Sequence, residues 1–146
     1  MSERQTRQRL AAILAADAVG YSRLMSADDH GTVAALDAAR AVFSKQIVAS
    51  QGRVVDMAGD SVLAVFETAA GAVCAALAVQ ADLEAAMSEL AAEKRLLFRI
   101  GVHLGDVIEK TDGSIYGDGV NVAARLQALA PSGGIVICGN RNAPSG

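Results

Sequence analysis

At 146 residues, 52% of them hydrophobic, the chain is long enough to bury a core and is read as a single domain, 1–146. No uncharged apolar run approaches the roughly 18 residues of a membrane span, and the absence of Trp, with two Tyr and three Phe, leaves few platforms for stacking nucleic-acid bases. A net charge of −3 gives no general field for polyanions, so phosphate binding has to be local.

Arg4, Arg7 and Arg9 followed by LAAILAADA imitate a signal peptide. The apolar stretch sits at the lower length limit and ends in an acid, so a buried first strand over 9–16 and a cytoplasmic protein are expected instead. The strand should stop at Asp17, before the turn-like AVGYS. From Asp28 to Ser50, Val33, Leu36, Ala39, Phe43 and Ile47 recur at three and four, which predicts an amphipathic helix capped by Ser26 or Asp28. The runs RVVDMA and SVLAVF flank Gly59-Asp60, a strong hairpin signal with Asp60 at the tip.

Thr68 should cap a second long helix reaching about Lys94. LLFRIGVHLG then reads as a strand, and DVIEK as another pairing back on it, before a Thr-Asp-Gly turn. Residues from about 118 to 130 form a third helix ended by Pro131, and IVIC supplies a last strand. The order β-α-β-β-α-β-β-α-β suits an α+β, ferredoxin-like split βαβ fold, a mostly antiparallel sheet with helices packed on one face. Cys74 and Cys138 show no metal-binding spacing and read as buried, reduced thiols.

In such a sheet the strands bearing Asp17 and Asp60 are neighbours. Two ionised carboxylates that meet at one edge repel, and a hard divalent cation resolves the conflict, most naturally magnesium with substrate phosphates completing its shell. Taken singly, an Asp after a strand and a Gly-Asp hairpin are ordinary turn chemistry; the aspartates gain weight as a pair. On the third helix Asn121 and Arg125 are spaced i, i+4 and share a face, joining an orienting amide to a planar cation that matches phosphate. A solvated Arg beside a capping Asn is the plainer alternative.

Together, LAADAVGYSRLM, GRVVDMAGDSVLAVF, FRIGVHLGDVI and IYGDGVNVAARLQALA, in this order over roughly residues 9–138, resemble the class III nucleotidyl cyclases. The resemblance implies a homodimer with clefts between subunits, converting ATP or GTP into the 3′,5′-cyclic monophosphate and pyrophosphate. It implies that Asp17 and Asp60 bind two divalent ions, Mg or Mn. Asn121 and Arg125 from the partner subunit would orient the ribose and stabilise the transition state.

Two departures stand out. Where adenylate cyclases of this class carry a Lys and an Asp that read adenine, this sequence has Asp56 and Ser114, a pair chemically closer to that of guanylate cyclases, so the base choice leans toward GTP. The ending NRNAPSG replaces a further helix, strands and a phosphate-binding Lys, so the chain reads as shortened. Two other readings follow: a cyclase-like module that binds nucleotide or a partner without turnover, and a palm-type diguanylate cyclase or polymerase relative whose subunits act singly.

Overall fold

The computed structural model describes residues 6–138. Its elements are β1 (Thr6–Val19), α1 (Tyr21–Ala27), α2 (Asp29–Ala49), β2 (Gly52–Ala58), β3 (Ser61–Phe66), α3 (Ala69–Ala86), β4 (Leu97–Lys110), β5 (Ile115–Tyr116), α4 (Asp118–Leu129) and β6 (Ile135–Cys138), with a 3-10 turn at Ala92–Lys94. The sheet order is β2-β3-β1-β4-β5, and β6 pairs with β4. All pairings are antiparallel except β4 with β6, so the α+β, mostly antiparallel expectation holds. The shortened ending lies outside the described residues.

The two helix caps are those the sequence offers: Asp28 accepts from the Gly31 amide at 3.0 Å, and Thr68 from the Gly71 amide at 3.0 Å. The hairpin is also as read, with Ala58 paired to Ser61 and Gly59 at φ 57° between them. Several features differ. The first strand runs past Asp17 to Val19, and AVGYS leads into α1 rather than a loop. The second helix stops at Ala86, because the Arg95 side chain folds back to donate to the Leu90 and Ser88 carbonyls and the Leu96 amide bonds to Met87 Sδ.

LLFRIGVHLG and DVIEK, read as two strands, are one: β4 pairs with β1 without a break from Leu97–Val19 to Lys110–Thr6. Finally, the helices cover both faces. Even-numbered residues of β1 and β4, such as Leu14, Ile100 and Phe98, pack with Phe43 and Ile47 of α2 and Ala76 and Val79 of α3. Odd-numbered ones, such as Ile13, Ala15 and Val107, pack with Ala123 of α4.

The helix α3 reaches the length and mean hydropathy, 1.3, of a membrane span, which reading for uncharged runs passed over. Its Ala72, Ala75, Ala76 and Val79 are fully buried in the core. Neither cysteine is buried as expected: Cys74 is an exposed thiol and Cys138 is half-buried.

Candidate active site

The register of β1 and β3 sets Asp17 opposite Ser61, the residue after Asp60. Both aspartates therefore lie at one end of the sheet, Asp17 within a strand and Asp60 in the two-residue turn. The turn is braced from below by Arg40 of α2, whose Nη2 donates to the Gly59 carbonyl while its Nε is buried without a partner. Among the described residues the Asp60 carboxylate has no hydrogen-bond or ion-pair partner.

Asp17 is more firmly held. Arg99, its cross-strand partner on β4, forks onto it through Nε to Oδ1 at 3.2 Å and Nη2 to Oδ2 at 3.1 Å. Gln127 of α4 donates Nε2 to Oδ1 at 2.6 Å. Sequence reading missed Arg99, Gln127 and Arg40. The only signal for Arg99 was a lone charge in an apolar strand, and for Gln127 an amide on a helix face that is otherwise apolar.

Asn121 and Arg125 are exposed on α4, and among the described residues neither side chain has a partner. With ~100° per residue, Arg125 and Gln127 differ by about 200° around the helix. Gln127 points at Asp17 of its own chain, so Asn121 and Arg125 face away from it. One chain brings the aspartates to one sheet end and turns the Asn–Arg pair outward.

Asp56 is exposed on β2 and has no partner among the described residues, and Ser114 sits in the β4–β5 turn. Arg53, on the same strand as Asp56, donates to the Gly113 carbonyl at 3.0 Å, tying that strand to the turn of Ser114. The Ser114 hydroxyl donates to Asp112 Oδ1 at 2.6 Å, and this bond with the Ser114 amide bond holds the Asp112 carboxyl below the usual aspartate range. Arg53 also joins Arg7 and Arg9 on Glu109. The hydrogen bond from Arg9 leads those from the other arginines in keeping Glu109 below the usual glutamate range, against the opposing effect of burial.

No cluster of three or more His, Cys, Asp or Glu side chains occurs among the described residues. Two carboxylates at one edge nevertheless suit magnesium or manganese, which take one or two protein carboxylates and complete their shell with water and phosphate. Two clefts of about 500 and 570 Å³, one beside Gln80 and Gly133 and the other beside Thr32 and Lys94, are lined by none of the six predicted site residues.

The sequence pattern of the adenylate and guanylate cyclase catalytic domain matches residues 4–142. The chain belongs to that family. It is 46% identical over 138 residues to a Rhizobium meliloti (strain 1021) protein named "Putative adenylate cyclase 3", covering 94% of this chain and 23% of that protein. The cyclase chain thus spans less than a quarter of that relative's length. An adenylate/guanylate cyclase/hydrolase from Silicibacter pomeroyi superposes with a TM-score of 0.83 at 38% identity, over 90% of this chain and 77% of that one. The adenylyl cyclase CyaB from P. aeruginosa, 22% identical, shares the fold, with a TM-score of 0.80 over 90% of this chain and 78% of its own.

Proposed function

We propose that two copies of this cyclase domain pair to form composite sites that convert a purine nucleoside triphosphate into its 3′,5′-cyclic monophosphate and pyrophosphate. The observation that carries this reading is the outward turn of Asn121 and Arg125 while Gln127, on the opposite side of the same helix, touches Asp17. A chain acting alone, as in a palm-type enzyme, has no use for a phosphate-matching cation aimed away from its own aspartates.

Asp17 and Asp60 would hold the divalent ions, whose charge, when bound, favours ionisation of the ribose 3′-hydroxyl and neutralises the departing pyrophosphate. The 3′-hydroxyl gives up its proton to water, its oxygen attacks the α-phosphorus, and the bond from that phosphorus to the pyrophosphate oxygen breaks. Asn121 of the second copy orients the ribose. Arg125 presents its fork to the charge developing on the α-phosphate oxygens. An apolar patch supports the pairing: Leu10, Ile108 and Tyr116 are 58%, 40% and 50% exposed, and the strand register places all three on one face of the sheet, beyond the cover of α2 and α3.

For the base, ATP is the first reading. The hydroxyl proton of Ser114 is engaged by Asp112, which leaves Ser114 an acceptor suited to the adenine 6-amino group and unsuited to the guanine carbonyl. The name of the Rhizobium relative points the same way. GTP is the second reading, favoured by Asp56, whose unpartnered carboxylate can accept from guanine N1 and N2 but cannot donate to adenine N1. Incubation with ATP or GTP and Mn²⁺, followed by chromatography, tests both. Cyclic AMP exceeding cyclic GMP is expected; the reverse order establishes the second reading, and no product from either overturns the enzyme in favour of a binding module.

A further inference from the structure

The β1–β4 pair is longer than the sheet that carries it. β3 lies along β1 at residues 12–17, whereas residues 6–11 of β1 and 105–110 of β4 continue beyond β3 as a two-stranded ribbon, which leads into the turn of Ser114. By register, Arg53 of β2 stands level with Val65, Ile13 and His103 of the next three strands. Glu109 lies six residues beyond His103, about 20 Å in a straight strand. Yet Arg53 Nη2 meets Glu109 Oε2 at 2.9 Å, and its Nη1 donates to the Gly113 carbonyl at 3.0 Å. The ribbon therefore curls back toward β2, and Arg53 fastens its end. Arg7 and Arg9 of β1 hold the same Glu109 at 3.0 and 2.8 Å, so the anchor is gripped by both strands of the ribbon.

A β-bulge turns Asp56 to the same side. Residues 53 and 56 of a regular strand point to opposite faces. The register slips between Val54 and Asp56, so Arg53 opposes Val65 and Asp56 opposes Leu63, both of which pack on the α4 face. Because β3 and β1 lie between β2 and β4, the separation of Asp56 from Ser114 depends on how far the ribbon curls. An exposed ion pair alone contributes little; what distinguishes Arg53 is its second bond, to the backbone next to Ser114.

We infer that Arg53 is a positioning residue for base selection: it closes the ribbon onto β2 and so fixes the distance between Ser114 and Asp56. The inference rests on the reading of those two residues as the ones that meet the purine.

The test uses 3′-deoxy-ATP and 3′-deoxy-GTP, which lack the attacking hydroxyl and cannot be cyclised, so calorimetry with Mn²⁺ reports their binding alone. Inorganic tripolyphosphate is the control without a base. Arg53→Met keeps the stem and loses the fork; Arg53→Lys keeps the charge without the planar fork that bridges two partners. The Arg53 side chain is 42% exposed, so neither replacement opens the core. In both variants the ratio of the two dissociation constants should move toward equality by about 5-fold, the worth of one hydrogen bond, with tripolyphosphate affinity unchanged. An unchanged ratio in either variant overturns the inference. So does a loss of tripolyphosphate affinity equal to that of the nucleotides, which would make Arg53 a phosphate ligand. Ser114→Ala and Asp56→Ala test the reading beneath it: a shifted ratio in either keeps that reading standing when the Arg53 result is negative. A ratio unmoved by both, or a wild type that prefers neither nucleotide or binds neither, overturns the reading and the inference together.

Discussion

The two faces of the sheet are built for different ends. On the face under α2 and α3, Phe43, Phe66 and Phe98 are almost fully buried, and the Phe43 and Phe98 rings meet edge to face at 5.1 Å. On the face under α4 the packing residues are aliphatic and often small, Ala11, Ala15 and Ala123 among them, and the sheet ends in the polar group of Asp17, Arg99 and Gln127. The first face supplies apolar burial. The second supplies little bulk and lets a helix backbone come close enough for one amide to reach an aspartate. Stability and chemistry can thus be altered separately.

The largest expected effect is on the aromatic face. Phe98→Ala should destabilise the fold by about 3–5 kcal/mol in denaturant unfolding, through lost burial and the cavity left behind, with Mn²⁺ affinity of the remaining folded protein unchanged. Next is Arg125→Ala, expected to lower turnover on the order of 100-fold, equivalent to about 2.7 kcal/mol of barrier. Its melting temperature should stay at the wild-type value, because the side chain is exposed and unpartnered. A large fall in that temperature would blur the distinction between the faces.

Gly101→Ala should cost about 1–3 kcal/mol, since a methyl group there meets helix backbone rather than a flexible side chain. The smallest effect belongs to Glu109→Gln, about 1 kcal/mol near pH 7, because the Glu109 cluster lies near the surface. Glu109 titrates lower in the folded protein than unfolded. Its contribution is therefore present above the ordinary glutamate range and disappears as pH falls through the folded value, so wild type and variant should converge in acid.

Sequence reasoning succeeded where the signal is local. Asp28 and Thr68 cap helices because their side chains bond to amides three residues on, and Gly59-Asp60 closes a hairpin because glycine takes positive φ without strain. The same rule failed at Gly105-Asp106, which resembles a turn but continues β4, since Ala11 and Leu10 of the equally long β1 pair with it. Long-range pairing overrode a local propensity. The end of α3 was hidden for a like reason, being set by the side chain of Arg95.

At the site, the i, i+4 spacing put Asn121 and Arg125 on one face, and the hairpin put Asp60 at its tip. That Asp17 faces Arg99 could not be read, because it depends on the register between strands 82 residues apart. Nor could Gln127, whose partner lies 110 residues away. The Ser114 to Asp112 bond spans only two residues and is legible in the Thr-Asp-Gly-Ser run, because an Asp side chain in a turn accepts from the residue two positions on.

The most direct measurement mixes two inactive chains, Asp17→Ala and Arg125→Ala, and assays cyclic nucleotide formation with Mn²⁺. If the sites are shared between copies, about a quarter of wild-type activity should return, because half of randomly formed pairs are mixed and each has one intact site. Activity no greater than the sum of the two variants alone would mean that each chain works with its own residues, and the division of labour across α4 would be wrong.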